Sequence, residues 1–187
     1  MKYFLVFFIL ITTLISCNEK QTVSSAFDCT TTTRLTKTKA YKDVLSHFKI
    51  DMPKSWKTKL YYSEFQSEVY SADTTKQLTE TYIADITWHQ GELNFDEEFE
   101  QKINEIIFEK EKLEIVQFGY ADFLKHKSYY NLSVGKNTDI TYHYLQIYMQ
   151  YKNDVYYTFT TKIYGDDFVS ERICASISLF KSIRFLD

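Results

Sequence analysis

The chain has 187 residues, with 22 Lys and Arg against 25 Asp and Glu and a net charge of −3. Proteins that bind nucleic acid present a basic surface, so this charge argues against DNA or RNA as a partner. Four glycines are too few to build a glycine-rich phosphate loop, and the sequence contains none of the catalytic or metal-binding motifs that residue spacing reveals. We therefore predict no cofactor, no metal site and no enzymatic activity.

The first seventeen residues, MKYFLVFFILITTLISC, have the layout of a secretory signal. Lys2 provides a positive start, residues 3–11 are continuously apolar, and small residues precede Cys17. The apolar run is too short to cross a hydrocarbon core of about 30 Å, which takes roughly 20 apolar residues. We predict that residues 1–16 are a cleaved signal peptide.

The four residues Leu14-Ile15-Ser16-Cys17 resemble the lipobox of bacterial lipoproteins. The resemblance implies cleavage before Cys17, a diacylglycerol on its sulfur and a third acyl chain on its new amino group, which together hold the protein on a membrane. Asn18 is not the aspartate associated with retention in the inner membrane, so we expect the outer membrane of a Gram-negative cell envelope. The alternatives are an ordinary signal peptide with a coincidental cysteine, or an uncleaved anchor.

Residues 18–40 are mostly Thr, Ser, Lys and other polar types, which bury too little apolar surface to become ordered. We interpret residues 17–40 as the lipidated cysteine and a flexible tether, and residues 41–187 as a single domain with one hydrophobic core. Two further cysteines are Cys29 in this tether and Cys174 in a predicted helix. Either they form a disulfide, which the compartment permits, or Cys174 remains a small buried thiol.

Alternation of apolar and polar residues with a period of two dominates the domain and predicts strands. The clearest case is a hairpin, in which residues 139–152 and 155–164 are joined by the turn-forming pair Asn153-Asp154. Residues 80–89 alternate in the same way. Shorter strands are predicted at 48–52, 58–63, 67–72, 113–118 and 126–134.

Two stretches follow helical spacing instead. Residues 95–111 carry an apolar stripe, with Asn94 or Asp96 as the cap, and residues 166–182 carry a second stripe. The segment KAYKDVLSHF predicts a short helix before the first strand. Because runs of strands and helices are segregated, the order predicts an α+β fold with a largely antiparallel sheet of about six to seven strands.

The opening of the domain, FKIDMPKSW (48–56), contains the only proline of the chain. Phe48, Ile50, Pro53 and Trp56 match the start of PsbP-like domains, in which a strand of the form Phe-x-Ile-x-x-Pro is followed by a tryptophan. The order of elements over residues 47–187 and the closing SLFKSIRF (178–185) also resemble this family, which includes DcrB-related bacterial proteins. The resemblance implies a PsbP-like fold and a protein that binds another protein without catalysing a reaction.

The face of the predicted hairpin opposite its apolar side carries five tyrosines: Tyr142, Tyr144, Tyr148, Tyr156 and Tyr164. Exposed tyrosines are favoured at protein interfaces, so this face is a candidate for binding a partner. The alternative is a structural role, because tyrosine is common in strands and a helix can cover this face.

These observations predict a membrane-anchored accessory subunit that binds another protein of the cell envelope. A small-ligand carrier or sensor, with a pocket between sheet and helix, is the second hypothesis. A hydrolase built from dispersed residues is the third, and it requires a cleft that holds a nucleophile beside a carboxylate or one of the histidines His89, His126 and His143.

Overall fold

The computed structural model describes residues 21–30 and 35–186. Within these ranges the chain forms ten strands: β1 Thr38–Lys42, β2 Phe48–Pro53, β3 Lys57–Tyr62, β4 Gln66–Ala72, β5 Tyr82–Gln90, β6 Glu114–Phe123, β7 His126–Asn137, β8 Ile140–Lys152, β9 Val155–Tyr164 and β10 Arg184–Phe185. The same ranges contain three α-helices: α1 Val23–Ala26, α2 Glu97–Glu105 and α3 Val169–Phe180. A 3-10 turn, Leu78–Glu80, precedes β5, and a π-helical turn, Ile106–Lys110, continues α2.

The strands form two sheets. The larger has seven strands in the order β3-β4-β5-β9-β8-β7-β6, and the smaller has three in the order β1-β2-β10. Every pair of neighbouring strands is antiparallel. The prediction of an α+β fold with a largely antiparallel sheet is therefore confirmed.

The main core lies between one face of the seven-stranded sheet and a layer formed by α3 and the small sheet. From α3, Ile173, Ile177 and Phe180 are buried, as the helical stripe predicts. From β2, alternate residues beginning at Phe48 are buried, so this strand presents its apolar face to the same core.

Arg172 connects α3 to the large sheet. It is buried, and its guanidinium donates hydrogen bonds to five backbone carbonyl oxygens around the start of β5 and the end of β9. Burying a charge is tolerated when most of its donors are hydrogen-bonded; here the two terminal nitrogens donate, and Nε has no partner among the described residues. The arginine thus fixes how the helix lies on the sheet.

The lone proline ends β2. Pro53 fixes its own φ and favours an extended residue before it, which suits the last position of a strand. The chain then turns, with the Trp56 N–H donating to the Pro53 carbonyl at 3.0 Å. The indole packs edge-on against Tyr82 of β5, with ring centroids 5.0 Å apart. The proline therefore serves the turn from the small sheet to the large one.

The predicted short helix in KAYKDVLSHF is wrong, because this segment forms β1 and a tight turn. Tyr41 and Lys42 pair with Ile50 and Lys49 of β2. Asp43 closes the turn, since its side chain accepts from the Phe48 N–H at 2.7 Å. An aspartate that binds nearby backbone favours a turn over a helix.

The segment 21–30 packs against the domain, which differs from the flexible tether expected over residues 17–40. Val23 of α1 is fully buried. Gln117 of β6 donates to the Ala26 carbonyl at 2.8 Å, and Cys29 forms a disulfide with Cys174 of α3. One valine and one covalent bond order this polar stretch, although its composition favours disorder. The signal peptide and Cys17 lie outside the described residues.

Candidate binding surfaces

The five tyrosines of the predicted contact face lie on the face of the large sheet that points away from the main core. Tyr142 is buried, and Tyr144, Tyr148, Tyr156 and Tyr164 are half-buried. The helix α2 and its π-helical continuation cover the β6–β8 side of this face, which is the structural alternative considered above. The side chains act mainly as packing, and little of their ring surface is free to meet a partner.

The packing under α2 forms a second, smaller apolar cluster. Ile103 and Ile107 lie against Leu113, Tyr129 and Tyr142. Asp96 caps the helix by accepting from the N–H of Phe99 at 2.9 Å, and the Phe99 ring meets Tyr148 edge-on at 5.4 Å. Burial raises the pKa of Tyr129 to about 12 and raises that of Tyr142 further, so these hydroxyls remain protonated.

Beyond the edge of α2, the same face carries a polar strip across β4, β5 and β9. Asp85 of β5 lies opposite Tyr70 of β4 and Thr160 of β9, and accepts a hydrogen bond from the Thr87 hydroxyl at 3.1 Å. Burial, and then repulsion from Glu68, raises the pKa of Asp85 to about 7. Such a carboxyl can exchange a proton near neutral pH, a property shared by functional sites and structural networks.

His89 lies at the end of this strip and is held by its neighbours. Its Nδ1 lies 3.1 Å from the Gln66 amide nitrogen, its Nε2 lies 3.0 Å from the Thr158 hydroxyl, and its ring stacks on Tyr156. Burial lowers the pKa of His89 to about 4, so the ring is neutral at physiological pH.

The structure does not bring the three histidines together. His89 lies on the face away from the main core, whereas His126 and His143 lie at opposite ends of neighbouring strands on the other face. His126 packs beside Tyr151, and His143 is 3.1 Å from Asp166. Within residues 21–30 and 35–186 there is no group of three His, Cys, Asp or Glu side chains placed to hold a metal ion.

A surface cleft of about 350 Å³ opens beside the first turns of α2. Its floor is formed by Tyr148 and Tyr156, and Phe99 and Ile103 line the helix side. The acidic groups at its rim are Glu92, Asp96 and Glu98, with Lys102 as the only basic one. The lining is suited to a small molecule that has an apolar body and a positive charge.

Both edge strands of the large sheet, β3 and β6, expose large apolar side chains, and those of β3 include three consecutive residues. In the described part of the chain β3 has a neighbour on one side only, so its outer backbone edge is unpaired. The strand and the turn after it expose four large side chains: Leu60 by 40%, Tyr61 by 46%, Tyr62 by 66% and Phe65 by 55%. We call this set the β3 edge.

Sequence reasoning missed the β3 edge, although a signal is present. The run Leu60-Tyr61-Tyr62 is three consecutive apolar residues, which a strand with one buried face does not need. Alternation along a strand predicts that the side chains on one face are buried against the core. Among the described residues, Leu60, Tyr61 and Tyr62 are all exposed, so side chains on both faces of the strand are open at this end of the sheet.

Among the described residues, no helix has the length and apolar character needed to span a bilayer.

No protein-family model and no curated protein matches the sequence. Among solved structures, the chain is similar to cyanobacterial PsbP (CyanoP) of Synechocystis sp. PCC 6803, with a TM-score of 0.59 and 11% identity over 81% of this chain and 94% of that one. The fold is PsbP-like. A protein of Bacteroides thetaiotaomicron gives a TM-score of 0.53 and 8% identity over 81% of this chain and 50% of that one. A point variant of Mog1 gives a TM-score of 0.50 and 10% identity over 81% of this chain and 97% of that one.

The PsbP-like fold predicted from the sequence is thus confirmed, and at these identities the similarity concerns the fold alone. Phe48, Ile50 and Pro53 occupy β2, and Trp56 follows in the turn, as the resemblance implies. Function is argued from the surfaces of this chain, because one fold supports unrelated functions.

Proposed function

We propose that this protein is a non-catalytic, lipid-anchored component of a bacterial cell envelope that binds another envelope protein through the β3 edge. Lipid on Cys17 supplies the attachment to the membrane, with the outer membrane as the location suggested by Asn18. The observation that carries the proposal is the exposed, unpaired and apolar edge strand.

An unpaired strand edge binds an extended segment of another protein by continuing the sheet. The backbone supplies the hydrogen bonds, and alternate side chains supply specificity. On β3, Leu60 and Tyr62 point to one face, and Lys57, Lys59 and Tyr61 point to the other. The partner strand should therefore carry apolar residues on one face and acidic residues on the other.

The lysines of β3 also bear on self-association. Lysine on an edge strand discourages pairing with an identical edge, because like charges approach each other. Lys57 and Lys59 are both exposed. The same two charges that oppose association of two copies favour an acidic partner strand.

The proposal is tested by purifying the protein from mild detergent extracts of its own cells with single substitutions. Leu60→Lys should abolish recovery of a bound envelope protein, because it places a charge in the centre of the apolar half of the edge. Phe168→Ser is the matched control, since Phe168 is 74% exposed but lies at the start of α3. Loss of the bound protein in both variants, or in neither, would contradict a role for the β3 edge.

A small-ligand carrier is the second candidate, and the cleft beside α2 is the observation that favours it. Tyr156→Ala removes part of the floor of this cleft. Native mass spectrometry of the purified wild-type protein should then show a bound organic cation that the variant lacks. Wild-type protein that carries no small molecule, and gains no thermal stability from aromatic amines, would remove this candidate.

A further inference from the structure

The N-terminal segment enters the fold at one end of the large sheet, beside the turn between β6 and β7. The Asp122 N–H donates to the Gln21 carbonyl at 2.9 Å, and Thr22 forms a parallel bridge with Asp122. Burial of Val23 and the disulfide at Cys29 hold the following residues on the domain. We call this the entry end of the sheet.

The short distance along the chain limits how far the entry end can be from the membrane. Only residues 18–20 separate Cys17 from Gln21. Four Cα-to-Cα steps reach at most about 14 Å, even when fully extended. An acyl anchor on Cys17 therefore keeps the entry end at the membrane surface, whereas a tether reaching residue 40 would have allowed about 80 Å.

A notch of about 400 Å³ lies at this entry end. Its lining combines two lysines, two hydroxyl residues, one carboxylate and two apolar residues: Lys125, Lys181, Thr22, Ser24, Asp122, Phe123 and Leu124. Lys125 belongs to the β6–β7 turn and Lys181 caps the end of α3. Both lysines are exposed, and neither forms an ion pair with another described residue.

The charges around the notch favour an anion. Asp122 is its only acidic lining residue, against the two lysines. Basic groups thus outnumber acidic ones at the notch, although the chain as a whole is acidic. Ammonium groups and hydroxyls are the donors that proteins use for phosphate.

We infer that this notch binds the phosphate of a membrane-lipid headgroup and seats the entry end of the sheet on the membrane. The inference rests on the proposed anchor at Cys17. The strands then stand upright on the bilayer, and β3 ends at the same membrane-facing end as β6. The β3 edge lies six strand spacings from β6, roughly 29 Å to the side, and its unpaired backbone edge faces along the bilayer surface and not into it.

The test uses the mature lipoprotein in vesicles, with a photoreactive diazirine residue in one of two hairpin turns. Asp154 lies in the turn after β8, at the entry end, and Asp139 lies in the turn before β8. The two exposed aspartates are separated by the length of β8, roughly 43 Å. In phosphatidylglycerol vesicles, the Asp154 position should form a lipid adduct detected by mass spectrometry, and the Asp139 position should not.

Two further arms test the phosphate and the lysines. Vesicles of galactolipid, which has no phosphate, should reduce the adduct at position 154. Lys125→Glu combined with Lys181→Glu should reduce it roughly tenfold in phosphatidylglycerol. Lys76→Glu combined with Lys136→Glu makes the same change of charge at the opposite end of the sheet, where both lysines are exposed, and should leave the adduct unchanged.

The experiment distinguishes the absence of the lipid anchor from the absence of the phosphate site. A protein that does not float with the vesicles lacks the anchor, and this outcome overturns the proposed attachment together with the seating. A protein that floats, but labels equally at positions 154 and 139 or equally in both vesicle types, keeps the anchor and overturns the phosphate site.

Discussion

Replacing Asp85 with asparagine should stabilise the fold, and should do so more strongly at high pH. Burial, followed by repulsion from Glu68, raises the pKa of Asp85 from 3.8 to about 7. The unfolded chain ionises at its ordinary pKa, so rising pH ionises the unfolded state first. The carboxyl therefore destabilises the fold increasingly from about pH 4, and fully above about pH 7.

The difference between the two pKa values sets the size of this effect. One pKa unit corresponds to about 1.4 kcal/mol, so the ionised carboxylate costs about 4 kcal/mol above pH 7 and about 1.5 kcal/mol at pH 5. Solvent screening of this partly exposed side chain reduces both values. Asparagine keeps an acceptor for the Thr87 hydroxyl, and we expect it to add about 2 kcal/mol more stability at pH 8.5 than at pH 5.

Urea unfolding of the wild type and Asp85→Asn at these two pH values measures the effect. The pKa of His89 is lowered by burial to about 4, so its titration also changes stability with pH, but the comparison of variant with wild type cancels it. Asp139→Asn, which removes a carboxyl at an exposed turn, is the matched control. An equal change at both pH values, or a larger gain at pH 5, would show that the ionised Asp85 carboxylate does not destabilise the fold.

Three further experiments concern the buried arginine, the disulfide and Cys17. Arg172→Leu should cost about 3 kcal/mol or more in urea unfolding, because buried carbonyl oxygens lose their charged donor, and Arg184→Leu, at a partly exposed ion pair, should cost below about 1 kcal/mol. Cys29→Ser with Cys174→Ser should cost about 2–4 kcal/mol and speed amide exchange over residues 21–30; unchanged exchange there would show that the disulfide does not order the segment. Cys17→Ser should move the protein from the membrane fraction to the soluble fraction and abolish incorporation of labelled palmitate, and continued sedimentation with membranes would argue against the lipid anchor.

The long hairpin and the two main helices could be predicted because local pattern and burial agree. In β8 and β9 every second residue faces the main core. The alternation of apolar and polar residues therefore predicts the strands, and Asn153-Asp154 predicts the turn between them. In α2, Asp96 caps the helix and Ile103 and Ile107 are buried, as the helical spacing requires. The local sequence of these elements is therefore sufficient to predict them.

The N-terminal segment could not be predicted in this way, because distant contacts order it. Residues 21–30 are polar, and their order depends on a disulfide to a residue 145 positions away. The raised pKa of Asp85 was also not predicted. Alternation indicates which face a residue occupies, but not how deeply its larger neighbours bury it. Aspartate is depleted in strands, and its position in the middle of β5 was the available signal.

The proposed contact surface, the β3 edge, differs from the predicted tyrosine face for a related reason. The tyrosines of β8 and β9 occupy the predicted face, but pattern alone does not locate the helix that covers them. The β3 edge emerged only from the strand order, which places β3 at the end of the sheet with both faces open.

Photo-crosslinking in living cells can show whether the β3 edge binds an envelope protein. A photoreactive residue at Tyr62, the most exposed large apolar residue of the strand, is compared with the same residue at Phe168. We predict one defined crosslinked protein at position 62, identified by mass spectrometry, absent at position 168 and lost when Leu60→Lys is added. The absence of a crosslinked protein at position 62, or the same product at both positions, would contradict the claim.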